Sequence, residues 1–547
     1  MLPEHVSQNF TAQQSAEKIA AHFSAISQEF LPLNAELLTD DVLNKLKCPG
    51  KPPSLSEFEV YKKILHANKP KSGTPSDIPR EIVSEFSPEL ASPLAAIYNN
   101  MFKSGEWPEH WKLEYVIPIM KVPKPKTEND LRPISLTPFF SKVAEHFVVE
   151  WLLEYIGDKI DVRQYGGLKR TSTTHYMIEF LDFILSQLDT PKTAVMACYI
   201  DFSKAFNRQD HNLLIQKLSK LGVPGWLLNI VMSFLSNRTM IVRYNGSESS
   251  KKALPGGGPQ GTVLALLLFI VLINEIGCPN CYKRTDCLRE IHLKFVDDLT
   301  IAQAVDLKVP DVDNSLLKKQ LHDTEVYATD NSMKINFSKT QLMVFNPCWS
   351  VDFVPQLSIN SQDLSLVTEK RLLGLIVRND LKWSSNTENI VRNASKRLWI
   401  LRRLKNLGAN KEALLQVYTK QIRSVLEYSV PAWQGGITAS EKTDLERVQK
   451  CAIRIILGYQ YSSYTGALLS LGLENLESRR IKLCLNFALK AEKHPKFSSW
   501  FIPSLKSRDT RTRPNKYSQI RSKHKRFDTG PISYLTDLLN QHYRKLQ

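Results

Sequence analysis

Two adjacent aspartates, Asp297 and Asp298, sit in the otherwise mostly apolar run KFVDDLTIA, residues 294–302. Phe295, Val296, Leu299 and Ile301 suit a buried strand, where an uncompensated carboxylate carries a large desolvation penalty. A positive charge must meet the pair. The best third acid is Asp201, at the end of the apolar stretch in CYIDFSKAF. Neighbouring antiparallel strands would bring these ends together, and three carboxylates on one sheet edge make a site for hard divalent cations, which take oxygen ligands. Cation charge would also keep such acids ionised despite partial burial. Two such ions, roughly 3.5–4 Å apart, serve in-line phosphoryl displacement: one lowers the pKa of the attacking hydroxyl and the other steadies the leaving oxygen.

A second stretch, LPGGGPQGTVLA, places glycines and prolines around Gln260 ahead of an apolar run. Glycine lets backbone approach a ligand closely, and Gln260, on a turn feeding a helix N-terminus, is placed to contact a sugar, base or phosphate. Standing alone, the stretch reads as a tight structural turn. A third cluster, CPNCYKRTDCLREIH, holds Cys278, Cys281, Cys287 and His292. The first pair has zinc-ligand spacing and the other two complete a tetrahedral set. Reduced thiols in a surface hairpin are the plainer reading.

The elements that must position these groups read as α+β, a mainly antiparallel sheet backed by helices. AVMACYIDF, IHLKFVDD, TMIVRYNG and QLMVFN read as strands, and DHNLLIQKLSKLG and WLLNIVMSFLS as helices. LLGLIVRNDLKW reads as a hairpin turning at Asn379-Asp380. Beyond Trp383 the pattern is helical: Ile390, Ala394, Leu398, Leu401 and Leu404 form one stripe, with Arg392, Lys396, Arg397, Arg402, Arg403 and Lys405 around it. Such a helix is either a solvated face or one laid along a phosphate backbone. The 547 residues carry 72 Lys+Arg against 55 Asp+Glu, a formal charge of +17 that points to a polyanionic partner. The longest apolar run, Val263 to Ile273, has 11 residues, too few to span a bilayer. Eight cysteines over this length make no disulfide framework. A reducing, intracellular setting is expected, with nucleus and cytoplasm left open. The basic segment Lys506–Arg526, which includes RSKHKR, reads as a nucleic-acid arm or a solvated tail.

Taken in order, YIDFSKAFNRQDHNLL, GGGPQGTVLALLLFIVLIN and FVDD resemble the reverse transcriptases of non-LTR (LINE-type) retrotransposons. LRPISLTPFFSKVAEHFV resembles the fingers motif, QYGGLKRTSTTHYMI the segment before the first catalytic strand, and INFSKTQLMVF and RLLGLIVRNDLKW the later palm strand and primer-grip hairpin. The resemblance runs from about residue 70 to 490. It implies a right-hand polymerase: an N-terminal helical extension (1–70), fingers and palm (71–377, core motifs about 104–377), thumb and helical connector (378–490) and a basic tail (491–547). It makes Asp201, Asp297 and Asp298 the catalytic, metal-binding triad for two Mg²⁺ ions, with Mn²⁺ as a substitute. Phe206 matches the position whose ring clashes with a ribonucleotide 2′-OH, which argues for dNTPs and against an RNA polymerase. Gln260 matches the nucleotide-contacting Gln, Arg132 and Lys121 the fingers cations on the triphosphate, and Lys339 a lysine that assists the leaving pyrophosphate.

The implied function is RNA-directed DNA synthesis, with an RNA template, a DNA primer and dNTPs as partners and no membrane. Asn207 stands where the family most often has Asp, Ala265 where Gly is usual, and Val296 where Ala is commoner. These departures motivate the alternative, a decayed or repurposed RNA-binding protein. About 70 residues precede the fingers, too few for the family's usual N-terminal endonuclease, so a polymerase-bearing fragment lacking that domain is expected.

Overall fold

The structure is a computed structural model that describes residues 10–67, 73–75, 77–277, 289–308, 310–346, 357–359, 362–504, 515–520, 523 and 528–546. The chain is mixed α+β and divides into two compact units, each discontinuous in sequence. The first takes in Met1–Gly167, Asp201–Tyr282 and His322–Asn336; the second takes in Leu168–Ile200, Lys283–Leu321 and Phe337–Gln547.

In the first unit, the strand Leu113–Met120 pairs antiparallel with Leu131–Leu136 and parallel with Thr239–Tyr244. Thr239–Tyr244 in turn pairs with the short strands Ser247–Glu248 and Lys252–Ala253. The helix Ala12–Ser27 starts at a capping box between Thr11 and Gln14. Its apolar stripe lies on this sheet: Ile19, Ala20 and Phe23 share one buried cluster with Val116, Leu131, Met240 and Val242. The helix Val263–Leu272 is apolar all round and buried, as its sequence predicts.

In the second unit, a five-stranded sheet runs in the order Ser365–Leu366, Gln341–Phe345, Thr193–Ile200, Asp298–Asp306, Glu290–Phe295. The central strand Thr193–Ile200 is buried at every position and antiparallel to both neighbours. Burial on both faces explains why its text is an unbroken apolar run rather than an alternation. The edge pairing of Ser365–Leu366 is parallel.

Two expectations are corrected here. KFVDDLTIA is not one strand: Glu290–Phe295 turns through Val296-Asp297 into Asp298–Asp306, with Phe295 paired to Asp298. The later hairpin turns at Leu373-Gly374, not at Asn379-Asp380, with Leu372 paired to Leu375. Leu373 (φ 45°) and Gly374 (φ 91°) supply the two positive φ values that a tight two-residue turn needs. Asp380 instead forms a bidentate pair with Arg378, both bonds 3.0 Å. Beyond it, the helix Ser384–Asn406 buries Ile390, Ala394, Leu398 and Leu401, and leaves Arg392, Lys396, Arg402 and Arg403 exposed. Arg397 and Lys405 spend their charge on main-chain carbonyls of Gln421 and Ile455. Within the stretch read as a basic tail, Pro531–Leu546 is a helix with buried Ile532, Leu535 and Leu539 that packs on the helix Leu476–Glu492. Among the described residues, no helix is long and apolar enough to cross a membrane.

Candidate active site

The sheet register fixes where the chain reaches each aspartate. Ile200 pairs with Leu299 across two hydrogen-bonded strands. Asp201 is the next residue after one strand and Asp298 precedes Leu299 on the other, so both follow from the same end of the pairing. Asp297 occupies the adjoining hairpin tip. Asp201 and Asp297 are half-buried and Asp298 is exposed. The main chain around Asp201 is fixed from its other side: its carbonyl accepts from the Asn336 amide at 2.7 Å, and the Ser203 amide donates to Lys334 at 2.7 Å. Among the described residues, no group of three or more His, Cys, Asp or Glu side chains is gathered into a metal cage. The donor set still fits Mg²⁺, a hard ion that is held by one or two carboxylates together with waters and substrate phosphates rather than by an all-protein cage.

The turn that presents Asp297 is strained. Val296 has φ 56°, a left-handed conformation that a β-branched residue rarely adopts. Asn tolerates that conformation at little cost. Val296→Asn is therefore expected to stabilise the hairpin by about 1 kcal/mol, read as roughly fivefold slower amide exchange across the Glu290–Phe295 and Asp298–Asp306 pairing. Unchanged exchange would remove the strain assignment.

Phe206 lies in the short 3₁₀ turn Ala205–Arg208, half-buried, with its ring stacked on Phe269 at 5.1 Å. Its carbonyl accepts from the Gly258 amide at 2.9 Å, and the Gln209 carbonyl accepts from the Gly257 amide at 2.8 Å. The glycine run is what permits this approach: a Cβ on Gly257 would meet the Asn207 carbonyl oxygen at 3.0 Å, and its φ is +85°. Gln260 is half-buried, and its carbonyl accepts from the Ser135 amide at 2.9 Å. Ser135 is on the strand Leu131–Leu136, which also carries exposed Arg132. Thus Phe206, Gln260 and Arg132 stand on three segments linked directly by backbone hydrogen bonds. Lys121 is exposed at the end of the neighbouring strand, and its ammonium reaches the Asn129 carbonyl at 2.7 Å. Asn207 is half-buried, and Ala265 lies inside a helix with its amide donating to the Thr262 hydroxyl at 3.3 Å.

In the second unit, Lys339 is exposed on the turn before Gln341–Phe345. His292 is buried in Glu290–Phe295, opposite Ile301. Cys278, Cys281 and Cys287 lie outside the described residues.

Sequence reasoning passes over Glu145, an acid inside the apolar helix Phe139–Ile156. It is fully buried, accepts from the Leu264 amide at 3.3 Å and is bonded by the Thr262 side chain. Nearby, buried Arg238 pairs with buried Glu114 at 3.4 Å. Glu145 thereby props the helix start just after Gln260. An acid isolated in an apolar helical stripe was the available signal. Burial pushes its carboxyl up to about 7, against the opposing Leu264 bond and the Arg238 charge. The folded state thus holds a proton that the unfolded chain, near 4.5, releases. The group's contribution to stability is complete below about 4.5 and is lost as pH rises through about 7. Glu145→Gln is expected to flatten this fall, measured as thermal midpoint against pH; the same slope in both proteins would exclude it.

Residues 122–379 match the family described as "Reverse transcriptase (RNA-dependent DNA polymerase)". The RNA-directed DNA polymerase from mobile element jockey of Drosophila melanogaster is 27% identical over 386 residues, which are 69% of this chain and 41% of that protein. The jockey protein of Drosophila funebris is 24% identical over 454 residues, 80% of this chain and 48% of its own. The chain thus spans under half the length of these relatives. Among solved structures, apo telomerase from Candida tropicalis aligns over 72% of this chain and 67% of its own, at 11% identity and a TM-score of 0.40.

Proposed function

The chain carries a reverse transcriptase domain related to those of non-LTR retrotransposons, and on that premise we propose that it extends a primer 3′-OH with dNTPs along an RNA template. The observation that carries the reading is the register that sends Asp201 and Asp298 from the same end of two paired strands, with Asp297 on the adjoining tip. In this reading the sheet centred on Thr193–Ile200 is the palm, and Ser384–Asn406 is the thumb helix. Asp201 and Asp297 would be the principal holders of two Mg²⁺ ions, with Asp298 beside them and substrate phosphates supplying further oxygens. When bound, the ions lower the pKa of the 3′-OH and neutralise charge on the leaving pyrophosphate.

The chain's own groups supply positioning. Arg132 presents a planar fork suited to a triphosphate. Gln260, anchored through Ser135 to the strand that bears Arg132, orients the nucleotide. Phe206 blocks a 2′-OH. Lys121 adds charge at the fingers and Lys339 assists the departing pyrophosphate. The exposed cations of Ser384–Asn406 grip the duplex backbone, so binding weakens as salt rises.

A direct test offers the purified chain an RNA template, a DNA primer, Mg²⁺ and either dNTPs or rNTPs. Extension with dNTPs alone is expected. Tight RNA binding without extension would overturn the reading in favour of an RNA-binding protein derived from a retrotransposon.

A further inference from the structure

The helix Ala12–Ser27 and its exit lie outside the matched residues 122–379. They nevertheless bond directly to both turns that carry the nucleotide-facing residues. The Ser27 hydroxyl, 1% exposed, donates to the Gly256 carbonyl at 2.6 Å and accepts from the Gly256 amide at 3.0 Å. One side chain therefore satisfies both main-chain groups of the residue that opens the Gly256–Gln260 turn. Two residues on, both oxygens of the Glu29 carboxylate accept from one nitrogen, Nη2, of Arg208, at 3.0 and 3.1 Å. Arg208 is buried and closes the turn that bears Phe206. Phe30 packs against Gly256: a Cβ there would stand 2.6 Å from its ring.

A helix that merely covered a sheet would need only its apolar stripe, which Ile19, Ala20 and Phe23 already provide. Ser27 and Glu29 do something else. They fix two polar turns that are themselves joined by the bonds from Gly257 and Gly258 to Gln209 and Phe206. The distance between the gate ring and Gln260 is set by this four-part lattice.

We infer that Ser27 and Glu29 are positioning residues for sugar selection, clamping the Phe206 turn and the Gln260 turn into register; this rests on the polymerase reading above. A loosened clamp lets the gate ring recede, so the site admits the 2′-OH and holds the dNTP less well.

The test uses the full chain and three variants. Ser27→Ala and Glu29→Gln should each raise the dNTP KM about fivefold with kcat little changed, and cut the preference for dNTP over rNTP about fivefold. Glu17→Gln is the control. It removes the charge that pairs the same helix with Lys252 and one of the two oxygens that accept from Ser250, and should leave both quantities unchanged. Equal losses in all three variants, or a lower melting temperature with unchanged selectivity, would reduce Ser27 and Glu29 to structural contacts and overturn the inference. Amide exchange separates this from failure of the polymerase reading. Gly256, Gly257 and Gly258 should exchange at least about tenfold faster in Ser27→Ala even in a chain that polymerises nothing. Unchanged exchange there would overturn the clamp by itself.

Discussion

Asp297→Asn is expected to lower the rate of primer extension by about a thousandfold or more, while RNA–primer binding stays within about threefold. The substitution keeps the side chain's size and removes its charge. Asp297 is the acid on the hairpin tip, half-buried, where the chain has only Val296 and Asp297 in which to reverse direction. A two-residue turn between paired strands places this carboxylate, and its proposed work is to hold ions at the reacting phosphate. Its loss should therefore appear in the chemical step. Single-turnover extension separates the two quantities. A variant that extends at the parental rate would remove Asp297 from the metal set, and one that simply fails to bind duplex would assign it to substrate affinity.

Phe206→Val is expected to raise rNTP incorporation relative to dNTP by about tenfold or more. The Phe206 ring is stacked on Phe269, and its main chain is bonded to Gly258, so its position is set from two sides. Valine removes the ring and opens the space a 2′-OH needs. It also forfeits the stacking, so some loss of stability is expected alongside. Phe206→Tyr keeps the stack and should keep the selectivity, which separates the gate from general loosening. Competing dNTP and rNTP in one extension reaction reads the ratio directly. An unchanged ratio in Phe206→Val would withdraw the gate assignment.

The elements that bear the site were largely legible in the text. Thr193–Ile200 announces itself as an apolar run because both of its faces are covered, and Val263–Leu272 does the same as a helix. That Asp201 follows one strand and Asp298 opens its neighbour was also legible, from two apolar runs that meet acids. What was not legible were the turns. Val296-Asp297 carries no glycine, and a β-branched residue at positive φ defies the rule by which turns are found, so the hairpin read as one strand. The later hairpin was displaced for the opposite reason: Asn379-Asp380 has turn chemistry, but Asp380 uses it on Arg378. Contacts between distant segments were beyond periodicity altogether. Ser27 and Gly256 are 229 residues apart, and Glu145 and Leu264 are 119 apart. No local pattern marks a serine hydroxyl or a buried acid for such a partner.

On the proposed reading, paired strands bring three carboxylates into a two-ion polymerase centre. The most direct measurement is a Mn²⁺ titration followed by electron paramagnetic resonance, with the full chain bound to an RNA–DNA primer duplex and a non-hydrolysable dNTP. Two tightly held ions are predicted in the parent chain, with at least one lost in Asp201→Asn and in Asp297→Asn. No tightly held ion in the parent, or two ions that survive both substitutions, would contradict the account.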